Sequence, residues 1–158
     1  MKKLLFSGPG GASPVADVGL LVLRLTGLML AVGHGFSKIR DPGMLAGGLQ
    51  QMGMPAPYLL AWLAAFGEFG GGLLLALGLL TRFGAFLIVC VMTVAVTTAH
   101  LHDPVFMTGQ GGAKEPALLY LLPALALLFT GAGRYSLDAL LRRDRANEGQ
   151  GFPIEPTQ

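Results

Sequence analysis

Arg24, His34, Glu68 and His100 are ionisable side chains set among apolar neighbours in this 158-residue sequence. Their chemistry is a short repertoire. An imidazole titrates near neutrality, so His34 and His100 can relay a proton, hydrogen-bond a carbonyl, or ligate a metal or haem iron. The Glu68 carboxylate can exchange a proton. The Arg24 guanidinium can balance a carboxylate charge, snorkel, or cap backbone carbonyls.

The elements that must position these groups are four apolar stretches, roughly residues 18–36, 58–80, 83–101 and 117–130. The first three have the length needed to cross a hydrocarbon core about 30 Å thick. The fourth is shorter and reaches full length only with Glu115, Pro116 and the 131–135 edge included. Hydrophobic residues make up 53%, charged residues 13%, and the mean hydropathy is +0.61. A soluble domain carries about 25% charged residues, so this outer surface is expected to face lipid. A charge inside lipid is costly, which makes the embedded polar residues the first place to look for function.

The expected architecture is all-α: a four-helix transmembrane bundle over residues 17–140, preceded by a flexible tail (1–16) and followed by a basic, then disordered tail (141–158). Seven Lys and Arg residues fall on the side of the termini and the second loop, against three in the first and third loops. The positive-inside tendency therefore puts both termini and the second loop in the cytoplasm. A net charge of +2 gives no reason to expect nucleic acid as a partner. Residues 4–6 form too short an apolar run for a cleaved signal peptide. Cys90 is the single cysteine, so the chain has no internal dithiol couple.

Between the stretches, residues 40–57 suit a short amphipathic element at the outer interface. Thr81-Arg82 joins the second and third spans as a tight hairpin. Glu115-Pro116 has the form of a helix start, and Ser136 is placed to cap a short surface helix.

Helical geometry gathers the polar residues into stripes. At about 100° per residue, Arg24, His34 and Lys38 share an arc of about 80°, as do Cys90, Thr93, Thr97 and His100. Both stripes are expected to face the interior. His34, His100, Lys38, His102, Asp103 and Glu115 fall towards the outer mouth. Glu68 lies roughly 15 Å deep, near the midplane, within reach of Arg24 from below. An Arg24–Glu68 pair is the expectation, and the bland alternatives stand beside it. Arg24 can cap carbonyls, and Glu68 can anchor packing in Gly67-Glu68-Phe69-Gly70-Gly71-Gly72. The threonines can join helices, and Cys90 can be a small buried apolar residue. No local ligand spacing supports a metal or haem, so proton handling or hydrogen-bonding to a quinone head group is favoured over them.

The order of the motifs resembles the DoxX/DoxD-like family of small bacterial membrane proteins. The resemblance rests on Leu23-Arg24-Leu25, His34-Gly35-Phe36-Ser37-Lys38 and Met52-Gly53-Met54-Pro55. It continues through Glu68-Phe69-Gly70-Gly71-Gly72, Gly78-Leu79-Leu80-Thr81-Arg82, Glu115 and Gly133-Arg134-Tyr135-Ser136-Leu137-Asp138. It implies a four-helix fold and a redox-associated role, since relatives include a quinone-linked thiosulfate-oxidising enzyme and proteins of redox-defence complexes.

The leading expectation is therefore a membrane subunit of a quinone-linked oxidoreductase system. A quinone would approach laterally, with His34, Glu68 and His100 handling protons at its head group and Arg24 supplying a supporting charge. Protein partners in a membrane complex, and possible homo-oligomers, belong to this reading. The alternatives are a non-enzymatic scaffold or assembly factor and, behind it, a small-solute or metal transporter that would need to dimerise.

Overall fold

The computed structural model describes residues 13–108 and 112–148. Most of the expected N-terminal tail, the 109–111 part of the glycine-rich loop and the last ten residues lie outside the described residues.

The first helix, α1 (Pro14–Arg40), is 27 residues long. It starts ahead of its apolar stretch because Ser13 accepts a hydrogen bond from Ala16 N at 3.3 Å and Pro14 fits the first turn. One turn of it, Ala31–Gly35, is π-helical. The short helix α2 (Pro42–Gln51) follows at once, capped by Asp41 through Met44 N at 3.2 Å. It occupies the segment expected to be amphipathic. Three further long helices follow: α3 (Pro57–Leu77), α4 (Thr81–Ala99) and α5 (Glu115–Thr130). The last turn of α4, Ala95–Ala99, is also π-helical. The chain continues into α6 (Leu137–Glu148), with Ser136 Oγ accepting from Ala139 N at 3.2 Å as the sequence predicts.

The helices α1, α3 and α4 are long and apolar enough to span a membrane. At 16 residues, α5 is shorter. It gains Glu115 and Pro116 at its start, but Gly131 turns the chain out of the helix before the 131–135 edge can add to it. Among the described residues there is no strand.

Packing runs in a ring: α1 against α3, α3 against α4, α4 against α5, and α5 back against α1, with α2 laid on α3. Leu30, Leu75, Ile88, Met92 and Leu127 meet at its centre. Around the outside, Val22, Met29, Leu63, Phe66, Phe86, Leu119 and Phe129 are exposed, an apolar girdle that a water-soluble surface would not carry.

Small residues decide how near the helices come. A Cβ on Gly35 would sit 2.5 Å from Phe69 N, and one on Gly27 would sit 2.8 Å from the Gly72 carbonyl oxygen. So α1 and α3 touch backbone to backbone, the contact that small residues permit between apolar helices. Gly71 and Gly84 do the same for α3 and α4, each Cβ position lying 3.0 Å from the other's carbonyl.

Candidate functional site

Two ends of the ring hold its polar residues. The far end is where α1 and α4 finish and α3 and α5 begin. There the backbone contact at Gly35 brings the last turns of α1 beside Glu68, and the Lys38 ammonium bonds Glu68 Oε1. Glu68 is 2% exposed and Lys38 28%, so the carboxylate is sealed while the ammonium still reaches the mouth. The other carboxylate oxygen, Oε2, is buried and has no hydrogen-bond partner. A buried acceptor left without a donor is destabilising by about 1–3 kcal/mol, more for a charged group, and such atoms are rare in native folds.

Glu68 lines a cavity of about 280 Å³ together with His34, Lys38, Met92, His100, Met107 and Tyr120. His100 Nδ1 lies 2.8 Å from Asp103 Oδ2, which fixes the ring and leaves Nε2 for other partners. His34 meets Tyr120 edge-on, with ring centroids 5.6 Å apart and planes at 71°. Both histidines sit at π-helical turns: His34 is within the first, and His100 directly follows the second. Such turns concentrate at functional sites because the wider spiral re-aims the side chains after it. The loop beyond α4 is tied across the mouth, with Met107 N donating to Glu115 Oε2 at 3.1 Å and Lys114 N to Pro104 O at 3.0 Å.

Arg24 is at the other end, and the expected Arg24–Glu68 pair does not form. Its guanidinium donates to Leu75 O (3.0 Å), Ala76 O (3.1 Å), Ala132 O (3.0 Å) and Tyr135 O (2.6 Å). The reason is local. The Leu75 carbonyl has one backbone donor, Gly78 N at 3.0 Å, and Ala76, Ala132 and Tyr135 gain theirs from Arg24; a five-donor fork serves such a cluster of helix-end and turn carbonyls where a carboxylate would not. Asp138 completes this end, accepting from Leu80 N (2.8 Å), Thr81 N (3.0 Å) and Thr81 Oγ1 (2.9 Å) to cap α4.

The structure thus brings His34, Glu68 and His100 together and removes Arg24 from the set. Two expectations about facing also change. Cys90, Thr93 and Thr97 are exposed on the outside of α4. Thr97 Oγ1 donates to the Thr93 carbonyl at 2.8 Å, so a threonine satisfied by its own helix has no need of the interior. His34 lies on the rim rather than facing inward, because the π-turn shifts the phase of α1 between Arg24 and His34.

The sequence model of the DoxX family matches residues 19–101. The chain belongs to the DoxX family. Relatives of similar length support this. CatD of Bacillus subtilis (strain 168), provisionally named an oxidoreductase, is 32% identical over 83% of this chain and 92% of its own. The inner membrane protein YqjF of Escherichia coli (strain K12) is 34% identical over 80% of this chain and 95% of its own. No solved structure gives a significant match. This is a membrane protein of that family.

The matched DoxX region contains His34, Lys38, Glu68 and His100 and stops short of Tyr120 and Asp138. Tyr120 was missed by sequence reasoning, since one aromatic in an apolar helix carries no signal of what it will face. The signal for Lys38 was present: it follows His34 by one helical turn and is the cation nearest the mouth on the same helix as Gly35.

Proposed function

We propose that this DoxX-family protein crosses the bacterial cytoplasmic (inner) membrane with α1, α3, α4 and α5, keeps both termini in the cytoplasm, and serves as the membrane subunit of a quinone-linked oxidoreductase system. One observation carries the assignment: Glu68, buried with Oε2 lacking a partner, borders a cavity together with His34, Lys38, His100 and Tyr120. An acceptor in that state fits a ligand that brings its own hydroxyl or shares a proton.

A quinone held there supplies two-electron, two-proton redox chemistry. The chain's own groups bind, orient and move protons. The Lys38 ammonium has donors beyond the one spent on Glu68 Oε1 and can hold a carbonyl oxygen. Glu68 Oε2 accepts a hydroxyl or its proton. His100, with Nδ1 on Asp103, presents Nε2 to the cavity. Asp103 is a third exposed, so it links that ring to water at the mouth. The oxidoreductase word in the name of CatD supports the redox class and nothing finer.

The test is to purify the chain in mild detergent, identify co-extracted quinone, and measure quinone binding by Glu68→Gln and His34→Ala. Both variants are expected to lose at least tenfold in affinity. Wild-type binding by both would put the site elsewhere.

A second reading is a scaffold for partner proteins. It draws on α6, which exposes Leu137, Leu140 and Leu141 beside Arg142 and Arg143. Under it, truncation after Asp138 abolishes partner capture while His34 and His100 are dispensable.

A further inference from the structure

The cavity at Glu68 has a neighbour. A second cavity of about 800 Å³ lies between α1 and α5, lined by Thr26, Met29, Glu115, Leu119 and, on the shared side, His34 and Tyr120. Met107 and Pro116 also border both spaces. The edge-on His34–Tyr120 pair therefore stands on the boundary between a sealed carboxylate and a groove whose outer walls, Met29 (65% exposed) and Leu119 (61%), belong to the apolar girdle. Thr26 adds no polar demand, because its Oγ1 donates to the Leu23 carbonyl of its own helix at 2.6 Å. Both spaces open to the outside and both linings are mostly apolar; the smaller holds Glu68, Lys38 and His100, and the larger runs beside Met29 and Leu119 of the girdle.

Resting on the quinone-site reading above, we infer that the α1–α5 groove holds the linear apolar tail of the ligand whose head group lies at Glu68, and that the ligand passes between groove and cavity at the His34–Tyr120 pair. The occupant is an amphiphile with a hydrogen-bonding ring at one end and a chain at the other. The border that the two spaces share at His34, Met107, Pro116 and Tyr120 argues for this. A free polar metabolite would have no use for the groove, and a lipid with two chains and a phosphate would meet the Glu68 carboxylate with like charge. The backbone contact of α1 with α3 at Gly27 and Gly35 closes the opposite side of α1, which leaves the α5 side as its approach from the bilayer.

The experiment uses the full chain in lipid nanodiscs and two probes with one head group, a tailless benzoquinone and its decyl-tailed analogue. Affinities are expressed per mole fraction in the lipid so that partitioning cancels. The decyl analogue is expected to bind the wild type at least tenfold more tightly than the tailless one. Leu119→Trp, which fills the groove from an exposed position, is expected to erase that gain and leave the tailless affinity unchanged. Met29→Trp on the facing wall should do the same. Phe86→Trp, on the outside of α4, should do nothing.

A tail gain that survives both groove variants overturns the groove assignment, and so does the absence of any gain. Glu68→Gln separates this from the underlying reading. If it weakens both probes while the groove variants are silent, the head-group site stands and the groove falls. If it weakens neither while Leu119→Trp still removes the tail gain, the groove stands and the head-group site falls.

Discussion

Arg24 and Glu68 are both charged, both almost wholly buried, and both carried by helices that are otherwise apolar, yet their surroundings differ. At the terminal end Arg24 donates to four carbonyls and Asp138 accepts from three groups. Gly78 takes a left-handed turn, φ +66°, with no room for a side chain between Ser136 and Arg24. At the far end Glu68 keeps one oxygen without a partner beside a cavity. The lesson is that burial of a charge does not by itself mark a working site. A closed set of hydrogen bonds marks a clasp, and an open valence marks a place for something else.

Substitutions can break or sharpen that contrast. Arg24→Met should have the largest effect. It removes the Arg24 donors from four carbonyl oxygens, of which Leu75 O keeps Gly78 N, so the loss is about 3 kcal/mol or more at about 1–3 kcal/mol for each of the three left unsatisfied. The expected outcome is poor yield and a melting temperature lower by about 10 °C. A variant that melts like the wild type would mean the clasp is decorative. Asp138→Ala removes the cap of α4 and should lower stability by about 2 kcal/mol, read as a shift in thermal unfolding. Glu68→Gln keeps the volume and leaves Lys38 free to reach water at the mouth. Gln keeps an oxygen for Lys38, so stability should fall by less than in either clasp variant, while quinone binding falls at least tenfold. If Glu68→Gln unfolds the protein as Arg24→Met does, the two ends are alike after all and the contrast collapses. Smallest is Thr97→Val, on the exposed face of α4, which should stay within about 0.5 kcal/mol of the wild type and leave binding untouched. A larger effect would mean that another chain covers that face.

Much of this was legible beforehand for physical reasons. Apolar run length sets where a helix can lie, so α3 and α4 fall within three residues of their expected bounds. Glu115-Pro116 begins α5 and Ser136 caps α6 because those signals act within one turn of the chain. The placing of His34 and His100 at one mouth followed from helix direction and depth, whereas the same count put Glu68 near the midplane beside Arg24. What failed needed information that spacing does not hold. The Arg24–Glu68 pair was inferred from charge and depth, but the carbonyls of Leu75 and Ala76 at the end of α3 took the guanidinium and were invisible in side-chain types. The stripes were drawn on a uniform helix, and two π-helical turns change the phase. Nothing in Ala31-Val32-Gly33-His34-Gly35 announces the wider spiral. Cys90 was expected inside by habit of its type, whereas in lipid an apolar thiol has as good a home on the outside.

The π-helical turn in α1 has a consequence for how such a protein can change over generations. A turn of this kind is one residue more than the regular helix requires. Deleting Val32 or Gly33, both on the exposed side, would let the helix close up again. Everything beyond it would then swing by about 100°, the rotation of a single residue at 3.6 per turn. Lys38 would leave Glu68 while Arg24 and the rest of the clasp stayed where they are. A one-codon change in length, rather than any exchange of side chains, is thus enough to dismantle the site, and the close contact of Gly35 with Phe69 would go with it.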